Sequence, residues 1–203
     1  MKRFSLSVKI YFILSILVLG CVSVSVLGLN KMSEIKEGLN RIVSGSVQRV
    51  RLSNISKSVF LDQVISEKNV ILEEKADALK GHFIRLDDNH KKIMATMDEL
   101  YSLIYAEAGK KDLLNAKANV EDWWKNNQII RQDILKGEKR EAFDLSMVTG
   151  RTLRFKVEES IDGIIKRNVG FMNDEVQLAE SEYTKARNLV LLTSIIAILS
   201  GLA

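Results

Sequence analysis

Between residues 79 and 104 one register of the chain reads Leu79, Phe83, Leu86, His90, Ile93, Met97, Leu100 and Ile104. The spacings alternate strictly between four residues and three. Such a stripe keeps one face of an α-helix turned toward a partner along its whole length, whereas a half-buried strand needs alternation in twos. A second stripe runs through Leu113, Ala116, Val120, Trp123, Asn127, Ile130 and Ile134. A looser third passes through Ala142, Leu145, Thr149, Leu153, Val157, Ile161, Ile164, Phe171 and Leu178. Ahead of them a drifting stripe links Ile35, Leu39, Ile42, Val50, Ile55, Val59 and Ile71. The chain of 203 residues contains no proline, so no ring removes a backbone donor inside these runs. Gly109 in "EAGKKD" and Gly137 in "LKGEKREA" read as helix stops. The expectation is an all-α, antiparallel up-down four-helix bundle with helices near 30–73, 75–107, 110–136 and 138–188.

Residues 10–29 carry no charge. With the residues just before them they make about 22 positions, or roughly 33 Å of helix, enough to span a bilayer core. Lys2, Arg3 and Lys9 precede the run without an intervening acid, which places the amino terminus in the cytoplasm by the positive-inside rule. The run passes straight into a helical pattern, so it reads as an uncleaved anchor and not a signal peptide. Gly20, Ser25 and Gly28 allow close helix approach there. A second apolar run, ending "LLTSIIAILSGLA", starts at Leu189, after Lys185 and Arg187. Its 15 residues are too few to span. The chain therefore reads as a piece of a longer protein, cut inside a second membrane helix. The expected organisation is a cytoplasmic 1–9, a membrane helix 10–29, an extracytoplasmic sensor bundle 30–188 and the start of a membrane helix at 189–203. That is a multi-pass protein of the bacterial inner membrane with its bundle outside.

The formal charge is only +4, with acids and bases interspersed as on solvated helix faces, so nucleic acid is not an expected partner. The single cysteine, Cys21, excludes an internal disulfide and reads as a small apolar residue of the first run. "VLG" before it resembles a lipobox, but the run continues through Val22, Val24, Val26 and Leu27. No Ser/His/Asp set, phosphate loop or cysteine–histidine metal motif is visible, so an enzyme, a cofactor and a metal are not expected.

Two groups of polar residues stand out as candidate sites. His90 and Asn127 both lie on apolar stripes. Folding the chain about a turn near 108.5 puts them at one height, as a polar layer that fixes bundle register; the alternative is a metal or ligand contact through His90 with Asp87 or His82 helping, although the eight-residue spacing of the two histidines suits a single ion poorly. Folding the count back around every turn brings Arg49 and Arg51 of the first helix level with Arg151 and Arg154 of the fourth. Four guanidiniums there would bind a small carboxylate bidentately. The alternative is a solvated face on which Glu158 pairs with Arg154.

"FSLSVKIYFILSILVLG", "NVEDWWKNNQIIRQDILKGEKREAFDL" and "AESEYTKARNLVLL", in this order and spacing, resemble the sensor region of methyl-accepting chemotaxis proteins. The resemblance implies a homodimeric transmembrane chemoreceptor. Its bundle would detect a small molecule outside and pass the signal to a cytoplasmic domain served by an adaptor and a histidine kinase. The same bundle also precedes histidine kinases and cyclases. A structural membrane-anchored tether is the reading from another class.

Overall fold

Three interruptions divide the helical pattern, and each has a local cause. In the computed structural model, which describes residues 6–202, the chain forms α1 (Leu6–Arg41), a π-helical stretch (Ile42–Val47) and α2 (Gln48–Leu72). Then come α3 (Ala76–Leu103) and α4 (Glu107–Lys136). They are followed by α5 (Lys139–Leu145), a second π-helical stretch (Ser146–Gly150) and α6 (Arg151–Leu202). No strand occurs among the described residues. At the first break the Glu73 carboxylate accepts the backbone N–H groups of Glu74 and Lys75, both at 2.9 Å. Those bonds favour its charged form and hold its pKa below the usual carboxylate range. At the third, Gly137 adopts φ +85°, a left-handed cap that costs a residue with a Cβ about 1 kcal/mol or more.

The second break corrects the expected stop at Gly109. The chain turns at 104–106, and Gly109 lies inside the first turns of α4. Its role is packing. A Cβ there would sit 2.9 Å from Ile104 Cγ2, so the missing side chain lets the turn close against the helix.

The chain divides into two compact units, Met1–Ser44 with Met172–Ala203, and Gly45–Phe171. The second is the bundle. Ion pairs and hydrogen bonds fix its antiparallel neighbours. Arg85 meets Asp62 at 3.8 Å between α3 and α2, and Arg131 meets Asp87 at 2.5 Å between α4 and α3. Asn168 donates to Ser53 at 2.9 Å, and Lys57 to Asp162 at 2.7 Å, between α6 and α2. α2 and α4 therefore run parallel across the diagonal. Phe60 and Trp123 meet there edge to face at 5.2 Å, a contact worth about 0.5–1.5 kcal/mol beyond its area. Leu86, Ile93, Leu113, Val120, Ile130 and Val157 are fully enclosed around them.

The other unit pairs α1 with the carboxyl-terminal part of α6. A Cβ on Gly20 would come within 3.0 Å of Ala197 Cβ, the close approach expected of that glycine. Val18, Leu19, Val22, Leu191, Ile195 and Ile198 stay exposed. Cys21 is exposed too. The helix Ile10–Leu72 contains a window long and apolar enough to cross a membrane. Lys2 and Arg3, which carried the orientation argument, lie outside the described residues.

Candidate functional site

The buried face of α2 is half polar. Leu52, Ser56, Val59, Gln63, Ser66 and Val70 are buried at spacings of four, three, four, three and four, with Glu67 enclosed beside them. Glu67 is 2 % exposed. An isolated carboxylate there would cost several kcal/mol after relaxation, so its partners matter. Ser146, first residue of the second π-helical stretch, donates its hydroxyl to Oε1 at 2.6 Å. The Asn127 amide of α4 donates to Oε2 at 3.1 Å. Lys68 Nζ lies 3.7 Å from Oε1 and donates to Ser146 Oγ at 2.6 Å. One carboxylate thus ties three limbs of the bundle together: α2, α4 and the limb that becomes α6.

The π-helical stretch shapes the other side of this layer. Its backbone bonds reach one residue further than those of an α-helix, and such bulges frequently mark functional positions. Its two ends, Ser146 and Gly150, are buried. A Cβ on Gly150 would come within 3.2 Å of Asn126 Nδ2 and 3.9 Å of Glu67 Oε1, so glycine is what lets the limb approach. Both amide atoms of Gln63, Asn126 Nδ2 and Asn127 Oδ1 are buried without a protein partner. Each such atom costs about 1–3 kcal/mol. The layer is therefore rich in groups that an altered arrangement could pair.

His90 and Asn127 do not form the expected layer. The turn lies near 105, not 108.5, so His90 stands beside Glu121, its Nε2 3.5 Å from the carboxylate. It stacks on Trp124 with ring centres 4.2 Å apart and planes 3° from parallel. Asn127 belongs with Glu67.

The four arginines are not brought together either. Arg49 donates to Leu103 O at 3.3 Å and to Ser46 Oγ at 2.5 Å, and Arg51 donates to Gln48 at 2.9 Å. Arg151 and Arg154 flank Phe155 at 5.5 and 5.6 Å, and Arg154 Nε is 3.9 Å from Glu158. A misplaced turn shifts the register twice, once on each helix it joins. Glu67 lies against Ser146 and Gly150, and Lys57 bonds Asp162, so Arg154 stands between those two levels of α2, and Arg51 lies more than a turn further along the bundle.

Two hollows accompany these features. One of about 160 Å³ in the bundle unit is lined by Arg49, Ile104, Tyr105, Arg167 and Phe171. Another of about 410 Å³ lies in the other unit, between Lys31, Glu34, Arg41, Glu175 and Glu182. Among the described residues no group of three or more His, Cys, Asp or Glu side chains is placed to hold a metal ion. The model of one protein family, a four helix bundle sensory module for signal transduction, matches residues 3–190. No curated protein matches the chain.

Proposed function

The chain belongs to the four-helix-bundle sensory modules for signal transduction of methyl-accepting chemotaxis proteins, and on that premise we propose that it is the sensor region of a transmembrane chemoreceptor. In this reading residues 10–29 and the apolar end of α6 lie in the bacterial inner membrane, and the bundle lies outside the cytoplasm. Two copies associate, and the signal reaches a cytoplasmic signalling domain coupled to a histidine kinase. The run of exposed apolar side chains on α1 and on the end of α6 supports the membrane placement.

The observation that carries the reading is the buried Glu67 layer. A sensor needs two arrangements of similar free energy, and a signal shifts them only by its difference in affinity. An all-apolar core offers one best packing. A carboxylate shared among three limbs, with unpartnered amides one turn away at Gln63 and beside it at Asn126, offers more than one set of hydrogen bonds. Helix displacements in such transitions are about 1–2 Å, enough to exchange one of these bonds for another. The limb that moves relative to α2 continues as the 52-residue α6, which ends in the apolar segment.

The test is a fusion of residues 1–203 to the cytoplasmic part of a characterised chemoreceptor, in motile cells lacking their own receptors. The fusion is expected to set a kinase-dependent swimming bias, and Glu67→Ala to change it. A bias identical in the parent fusion, in Glu67→Ala and in cells without any receptor would overturn the sensory reading.

A further inference from the structure

His90 is the one polar residue on the strict stripe of α3, and its surroundings are unlike those of a packing residue. Its side chain is 16 % exposed. One ring face covers Trp124, and Nε2 points toward Glu121. Nδ1 is buried with no hydrogen-bond partner. Asp87, one turn earlier on the same helix, is the other carboxylate that acts on the ring, and it is already taken. Arg131 of α4 grips it with two N–H groups at 2.5 and 3.3 Å, with its guanidinium 4.6 Å from the Phe83 ring and 5.8 Å from Trp124. From α2, Lys57 stands level with His90 but is turned to Asp162, and Asp62 holds Arg85.

We propose that His90 is a proton-binding site that makes the bundle acid-responsive. Protonation adds an N–H at Nδ1, where neutral imidazole has only a lone pair. That donor is charged and buried, and Asp87 is the acceptor within one turn. Asp87 keeps free lone pairs, but both its oxygens are held toward Arg131, so it serves the ring only by turning away from that grip. Acid therefore sets His90 and Arg131 in competition for one carboxylate. The clamp between α3 and α4 loosens as the imidazolium draws Asp87 and Glu121 toward itself. Burial disfavours the charged ring, and the two carboxylates oppose that, leaving its pKa below the ordinary histidine value. The response accordingly belongs to mildly acidic conditions and is silent at neutral pH. The inference rests on the sensory reading only in taking the bundle's arrangement as an output. The proton site itself is tested without it.

Indole fluorescence reads the site directly, because an imidazolium stacked on an indole quenches it more than neutral imidazole does. The purified full chain in detergent is titrated from pH 8 to 4.5. The expected result is a fluorescence transition centred below about 6.5 that is lost in His90→Gln and kept in His82→Gln. Asp87→Asn and Glu121→Gln should move the midpoint down, and Arg131→Gln, which frees Asp87 for the ring, should move it up. Identical profiles for the parent chain and His90→Gln overturn the proton site. A midpoint that Asp87→Asn and Arg131→Gln leave unmoved overturns the exchange of Asp87. Circular dichroism at pH 7.5 identifies any variant that has failed to fold, and the Asp87 and Arg131 variants serve as alternates for each other.

Discussion

Replacing Glu67 with alanine should destabilise the bundle more than any exposed substitution, and replacing it with glutamine should do little. The alanine variant removes the acceptor of two hydrogen bonds from Ser146 and Asn127. Hydrogen bonds to a charged group contribute about 1.5–3 kcal/mol each. Lys68 keeps its bond to Ser146, so its ammonium is not stranded, and the sum lies near 3–5 kcal/mol, the range for breaking a buried charged contact. Glutamine keeps the shape. Its carbonyl still accepts from Ser146, and Asn127 can rotate its amide so that Oδ1, unpartnered in the structure, accepts from the new amide nitrogen. That exchange should cost about 1 kcal/mol or less, the scale of one neutral hydrogen bond. Thermal unfolding followed through Trp123, which is 1 % exposed inside the bundle, is the assay. At about 2–4 °C per kcal/mol for a chain of this size, alanine should lower the midpoint by roughly 10–15 °C and glutamine by at most about 4 °C. Equal losses in both variants would show that charge, and not hydrogen bonding, holds the layer. No loss in either would refute the tie across three limbs.

Gly109→Ala should destabilise despite alanine's helix-propensity advantage of about 1 kcal/mol, because its Cβ meets the branched Ile104 side chain at 2.9 Å; urea midpoints will show the sign. At Gly137 the left-handed φ of +85° makes alanine cost about 1 kcal/mol, readable in the same unfolding curves, with no effect on the His90 titration. Neutral His90 gives a pH-dependent stability whose sign follows from its lowered pKa. The unfolded chain binds the proton more readily, so this contribution is fully present above about pH 6.5 and is lost as pH falls through the folded value. Urea midpoints should therefore drop between pH 7 and 5 by more in the parent chain than in His90→Gln. For topology, a cysteine at Lys111, in a Cys21→Ser background, should be labelled by an impermeant thiol reagent on intact cells; labelling only after the inner membrane is opened would place the bundle in the cytoplasm.

The parts of this fold visible in the sequence were those written in apolar spacing. The α3 and α4 stripes were legible because the residues between 86 and 134 that face the core are nearly all aliphatic or aromatic, and they are the ones enclosed. The α2 stripe was not, although its spacing is just as strict. Ser56, Gln63 and Ser66 occupy seam positions there, and a search for apolar repeats follows Ile55 and Val50 instead. The Glu67 site was hidden for the same reason, since a core carboxylate has the composition of a solvated face until its partners from other helices are known. The arginines show the opposite failure. Their chemistry was visible, but their heights were counted through every turn in succession on regular α-helix, whereas Ile104 with Gly109 moves one turn by a few residues and π-helical stretches interrupt two of the limbs. Any register inferred by folding a helical chain doubles such an error. Spacing along one helix therefore constrains this protein well, whereas the polar layer that ties its limbs together depends on contacts between helices that no single stripe encodes.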